Sequence, residues 1–223
     1  MVPLSSLLPY NRVRRVVAGL LRPAPGSALS SAALVAVLIG SSPGVALAHP
    51  HVFLENHVVL RFDGRLLTGF DFVWRFDEVF SATMLDSLGL TDKAPWSADT
   101  VAAIQRDGFD NLVNYDYFVH VMTAAGPVKV TAIRNFAASM SGERLVFQFT
   151  ADLASAVDSS EKPIRAGFFD HTYYVDVGFP DAAAIDTTQA PPGCRINLTL
   201  DTENPIYSGT VYPQTVLIQC PRS

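Results

Sequence analysis

Residues 52–76 read VFLENHVVLRFDGRLLTGFDFVWRF. Val52, Leu54, Val58, Leu60 and Phe62 fall on one face of an extended chain. His51, Phe53, Glu55, His57 and Arg61 fall on the other. Side chains alternate across a strand, so this pattern predicts a half-buried strand. DGR at 63–65 is a turn, and RLLTGFDFVWRF at 65–76 predicts a second strand, giving an N-terminal β-hairpin.

Beyond the hairpin the periodicity changes. Val79, Ala82, Met84, Leu85 and Leu88 are spaced to share a helical stripe over 77–90, with Asp77 as N-cap and Gly89 as terminator. A second helical pattern follows over 97–118, capped by Ser97 or Asp99, with Gly108 a candidate interruption. Strands are predicted near 117–124, 128–134, 144–153, 168–179, 194–200 and 211–219. The expected fold is α+β: mostly antiparallel strands, two helices inserted after an N-terminal hairpin, and a C-terminal hairpin closed by a disulfide between Cys194 and Cys220. These are the only cysteines, and the midpoint between them falls at residue 207, inside the turn-like NPIYSG. A metal-binding cysteine pair is the alternative reading, disfavoured by the wide spacing.

Upstream of the hairpin, Arg12, Arg14, Arg15 and Arg22 precede an apolar, small-residue run from Ala28 to Gly40. SSPGVALA then leads to an A-x-A cleavage pattern at Ala46-Leu47-Ala48. This is the order of an export signal, and the apolar run is shorter than the ~20 residues a spanning helix needs. The expected organisation is a secretory signal peptide over 1–48, removed on export, and a single periplasmic domain over 49–223, large enough for its own core. The mature protein is expected not to span a membrane. Processing also changes the charge. The chain carries 16 Lys+Arg against 21 Asp+Glu, and the first 48 residues hold four Arg and no acid, leaving 12 against 21. An acidic domain is a poor candidate for nucleic acid, whose binding rests on neutralising phosphates.

Cleavage after Ala48 would make His49 the first residue. Its α-amine and Nδ1 can then chelate one metal ion, because an α-amine loses its proton near neutral pH. His51 follows two residues later, on the same strand face and roughly 6–7 Å away, within reach of the same ion. Glu55 and His57 lie about 13 and 20 Å from His51 along a straight strand, too far to join it. Pro50 has no N–H to give up, so the square-planar binding mode that uses backbone amides two and three is closed. Imidazole and amine with oxygen ligands suit Zn, Ni, Co or Cu. The alternative is that His49 and His51 are solvated residues near a chain end.

Two other stretches place acids beside aromatics. FVWRFDEVF puts Asp77 and Glu78 where a strand enters a helix, and GFFDHTYYVDV puts Asp170, His171 and Asp176 among aromatic residues. Helix capping and a polar bulge are the structural readings of these. His120, in YFVHV, reads as a core or edge histidine. No nucleophile elbow, phosphate loop, HExxH or CxxC occurs, and nothing points to an enzyme.

Three segments together resemble an uncharacterised family of bacterial periplasmic proteins, a domain of unknown function. The family is labelled periplasmic component of an ABC-type transport system, and its members are often encoded beside nickel/cobalt-efflux-type permeases. The resemblance rests on AHPHVFLE at 48–55, WRFDE at 74–78 and FDHTYYVD at 169–176. In the last, the family's proline is replaced by His171. The resemblance implies a metal-handling periplasmic accessory protein working with an inner-membrane metal permease. Its expected cofactor is a transition-metal ion, Zn, Ni or Co. The expected ligands are His49, His51, Asp77, Asp170 and His171. Alternatives are a copper oxidase or monooxygenase built on the His49 chelate, and a metal-free envelope module whose aromatics bind a partner protein.

Overall fold

In a computed structural model, residues 50–90, 94–160 and 162–222 are described. The expected signal segment and His49 lie outside them. Strand β1 runs Val52–Asp63 and β2 runs Leu66–Phe76, paired antiparallel from Leu54↔Phe76 to Asp63↔Leu66. The two-residue connection needs a left-handed residue, and Gly64 supplies it at φ +57°. Val52, Leu54, Val58 and Leu60 point into the core, and so does Asn56, which accepts a hydrogen bond from Trp74 Nε1 at 3.1 Å. That bond satisfies the amide oxygen, while the buried NH₂ finds no partner among the described groups.

Among the described residues the strands form two sheets. The first has the order β5–β6–β2–β1–β8, with β5 at Val130–Ser141, β6 at Arg144–Asp158 and β8 at Val175–Gly178. A short β9, Ile185–Asp186, also pairs with β1. The second has the order β10–β11–β7–β3–β4, from Arg195–Leu200, Gln214–Gln219, Ile164–Phe168, Val119–Thr123 and Gly126–Val128. The sheets meet through aromatic rings: Phe168 on β7 packs edge-on against Phe70 and Phe72 of β2, at centroid distances of 5.3 and 5.6 Å. The fold is strand-rich and mixed, as the patterning implied. The pairings are antiparallel except those of β1 with β8 and β9. Cys194 and Cys220 are joined in a disulfide, next to the pair Arg195↔Gln219.

Helix α1 spans Glu78–Ser87 and α2 spans Ala98–Gly108. Asp77 caps the first and Ser97 the second. The helix ends at Gly108, so the helical pattern expected over 97–118 is interrupted there and resumes as a 3-10 segment, Asp110–Phe118. The inward face of α1 differs from the expected stripe. Val79 is 78% exposed, whereas Ser81 is buried and Phe80, Met84 and Leu88 pack against the core. Ser81 sets this rotation, because its hydroxyl donates to Asp77 O at 2.6 Å and accepts from Leu145 N at 2.8 Å. A polar residue thus anchors the helix to β6, which a count of apolar positions cannot register.

Two strand expectations are corrected. The strand expected from 117 begins at Val119, because Asp116, Tyr117 and Phe118 all take left-handed φ of 51–57° at the end of a 3-10 segment, Asp110–Phe118. The run expected as one strand over 168–179 is broken. The chain leaves the second sheet at Phe168, turns through 169–174, and enters the first sheet at Val175.

Candidate functional site

The described part of AHPHVFLE, from residue 50, meets WRFDE and FDHTYYVD at the start of β1. Its residues Val52–Glu55 lie between the end of β2 and the parallel β8, with Leu54↔Phe76 on one side and Phe53↔Asp176 on the other. Two carboxylates secure this junction from opposite sides.

Asp77 uses one oxygen on each element it joins. Oδ1 accepts Phe80 N at 2.8 Å, capping α1, and Oδ2 accepts Phe53 N at 2.8 Å, clamping β1. Each carboxylate oxygen has two lone pairs, so one remains on each. Asp170 is 4% exposed. Oδ1 accepts Thr172 N at 2.9 Å, Oδ2 accepts Tyr174 N and Val175 N, both at 3.1 Å, and the Thr172 hydroxyl lies 2.7–2.8 Å from both oxygens. This carboxylate is spent within the turn. It organises the connection that carries the chain from one sheet to the other, and the connection's Tyr174 O accepts His51 N at 3.0 Å and Val52 N at 3.2 Å. His51 therefore enters β1 against this connection, its ring centroid 4.9 Å from that of Tyr174.

The other end of the connection brings together two histidines that chain spacing alone keeps apart. The rings of His120, on β3, and His171 stand 4.6 Å apart, and Phe169 stacks on His120 at 4.1 Å. Gly167 makes room: a Cβ there would lie 2.5 Å from Phe169 Cε1. His120 Nε2 is 2.9 Å from Phe169 O. A carbonyl can only accept, so Nε2 carries the proton and Nδ1 holds the lone pair in the neutral ring. Burial pushes the His120 pKa below its ordinary value and favours that neutral ring, partly offset by the bond to Phe169. The pair borders a groove of about 730 Å³ on the outer face of the second sheet. Reading His120 as a core or edge residue missed this pairing. The signal for it, two strands brought side by side by the β3–β7 register, lies in tertiary pairing and not in local pattern.

The remaining candidates fall elsewhere. His57 faces a separate cleft of about 360 Å³ with Asp71 and Asp186, and Glu55 pairs with Arg144 at 2.7 Å. Asp176 lines a third cavity. Among the described residues, no three of His, Cys, Asp and Glu converge as a metal-binding group. The donors that suit a transition metal are the imidazoles of His51, His120 and His171, with Asp77 able to add an oxygen. No described helix is long and apolar enough to cross a membrane.

Two sheets that meet through aromatic rings, with a histidine-bearing connection between them, define a strand-rich, mixed fold. The chain belongs to a family of proteins of unknown function, DUF1007, whose sequence model matches residues 34–216. An uncharacterized protein of Haemophilus influenzae is 24% identical over 196 residues, which covers 78% of this chain and 92% of the relative. An "uncharacterized 15.5 kDa protein in trpE 3'region" of Spirochaeta aurantia is 28% identical over 117 residues, 52% of this chain and 82% of that protein.

Proposed function

We propose that this protein is a periplasmic, non-enzymatic accessory protein that binds a transition-metal ion, Zn, Ni or Co, and passes it to or from an inner-membrane metal permease. The observation that supports this reading is the connection 169–174. One end of it holds His171 against His120, and the other holds Tyr174 against His51, so a pair of imidazoles stands at one end and a separate imidazole at the other. A pair of imidazoles suits a borderline metal, and the coordination positions it leaves open suit handover better than storage. The His120 ring is held in one tautomer by a backbone carbonyl, the usual arrangement behind a metal-ligating imidazole. His49 and its amine, freed by cleavage after Ala48, would extend the set at the His51 end. Export is supported by the basic segment, apolar run and A-x-A pattern of the first 48 residues.

Calorimetry with Zn, Ni, Co and Cu on the processed protein tests the reading, alongside His51→Ala, His171→Ala and the double variant. Saturable binding to the parent protein, weakened at least tenfold in one of the single variants, is expected. Equally weak binding by all four proteins would sink it.

A further inference from the structure

A cavity of about 310 Å³ lies where β8 meets the segment leading into β11. Its walls carry the rings and alkyl groups of Phe169, Tyr173, Leu200, Ile206 and Tyr212, polar atoms share its surface, and its charged group is Asp176. Asp176 is held in place by the β1–β8 pairing, opposite Phe53. Burial raises the pKa of its carboxyl, and the neighbouring Tyr173 side chain offsets this in part. Among the described residues no Lys, Arg or His forms an ion pair with it. A half-buried carboxylate without a counter-charge is costly, and such a group facing a cavity is a candidate binding site. Tyr173 is also held in an unfavourable backbone conformation, at φ +55°, with its ring 5.9 Å from Tyr207, itself at φ +48°. Strain of this kind persists where the surroundings fix a side chain for a purpose.

We propose that this cavity binds a small organic ammonium ion, its charge on Asp176 and its carbon chain against the surrounding rings. An ammonium group pairs with a carboxylate and is attracted to the faces of tyrosine and phenylalanine. The volume is at the lower end for small-molecule sites, so a free amine of a few carbons fits better than a segment of a larger partner. The inference does not rest on the metal reading, since none of the imidazoles proposed as ligands lines this cavity.

Calorimetry with n-butylammonium, n-butanol and n-butyrate tests it on the processed protein. Saturable binding of butylammonium is expected, at least tenfold weaker binding of butanol, and none of butyrate. Asp176→Asn should weaken butylammonium at least tenfold at an unchanged melting temperature. Tyr212→Ala removes one ring and leaves the charge, should weaken it severalfold, and keeps the test intact if Asp176→Asn does not fold. No saturable amine binding, equal binding of amine and alcohol, or undiminished binding in the folded variants would overturn the proposal. Tighter binding of a lysine-containing peptide than of the free amine would overturn the choice of a small ligand.

Discussion

Asp77 and Phe53 hold each other by two hydrogen bonds: Asp77 N donates to Phe53 O at 2.9 Å, and Phe53 N donates to Asp77 Oδ2 at 2.8 Å. The second oxygen caps α1, so one residue ends β2, starts a helix and fixes the entry to β1. Asp77→Ala should cost about 1–2 kcal/mol, the usual loss for a helix cap. Asp77→Asn keeps a single acceptor oxygen and should cost less. Urea midpoints measure both, and no loss in Asp77→Asn, which keeps the cap, would show that the β1 clamp contributes nothing beyond it.

Asp170 should tolerate asparagine no better than alanine. Its oxygens face the N–H groups of Thr172, Tyr174 and Val175, and an asparagine NH₂ would point a donor at donors. Loss of a buried, charged acceptor costs on the order of 3 kcal/mol. Hydrogen exchange localises the effect. The amides of His51 and Val52 donate to Tyr174 O and should exchange faster in Asp170→Asn. Unchanged exchange at both would mean the connection stands without its carboxylate.

His120 should make stability depend on pH in a stated direction. Its folded pKa lies below the ~6.5 of a free imidazole. The unfolded chain therefore binds more protons between the two values. The contribution is complete above about pH 6.5 and is lost as pH falls through the folded pKa. His171, Asp116 and Asp170 face the ring; His171 adds to the depression and the two acids oppose it. His120→Gln keeps an N–H for Phe169 O and should flatten the slope of urea midpoint against pH between 5 and 7. A slope that survives the change belongs to another group.

Two glycines should fail differently when replaced by alanine. At Gly69, on β2, a Cβ would strike the carbonyl oxygen of Ala151, a backbone atom that cannot move without opening the β2–β6 ladder. At Gly167 the close contact would be with the side-chain ring of Phe169, with the Thr215 hydroxyl at an ordinary 3.5 Å. Gly69→Ala should lower the melting temperature markedly. Gly167→Ala should lower it less but displace Phe169 from His120, read as a shift of the His120 ring resonances.

Reduction of Cys194–Cys220 should cost about 3–4 kcal/mol by loop entropy for a 26-residue separation. Denaturation with and without reductant, compared with Cys194→Ala/Cys220→Ala, checks this. Agreement between the reduced protein and the double variant is expected.

The hairpin and the cysteine pairing were legible because both depend on local signals: alternation around a DGR turn, and a turn midway between two sulfurs. The inward face of α1 was not, because Ser81 is buried by hydrogen bonds to Asp77 and Leu145, not by apolarity. The aromatic run at 168–179 read as one strand because Phe, Tyr and Val favour strands wherever they stand. What breaks it is Asp170, which offers the backbone of 172–175 a competing set of hydrogen bonds. The His120–His171 contact was invisible for a related reason: two residues 51 positions apart meet only once β3 pairs with β7.

The parallel pairing of β1 with β8 also sets an order of assembly. One side of β1 is completed by β2 after a two-residue turn, and the other waits for Val175, more than a hundred residues later. Closing so long a loop costs entropy before any contact repays it, and parallel long-range pairing is slow. The hairpin can therefore form while the rest of the chain is still loose, but the junction of the three segments is among the last parts to close. A chain halted before residue 170 would hold the early histidines on a strand with one edge bare.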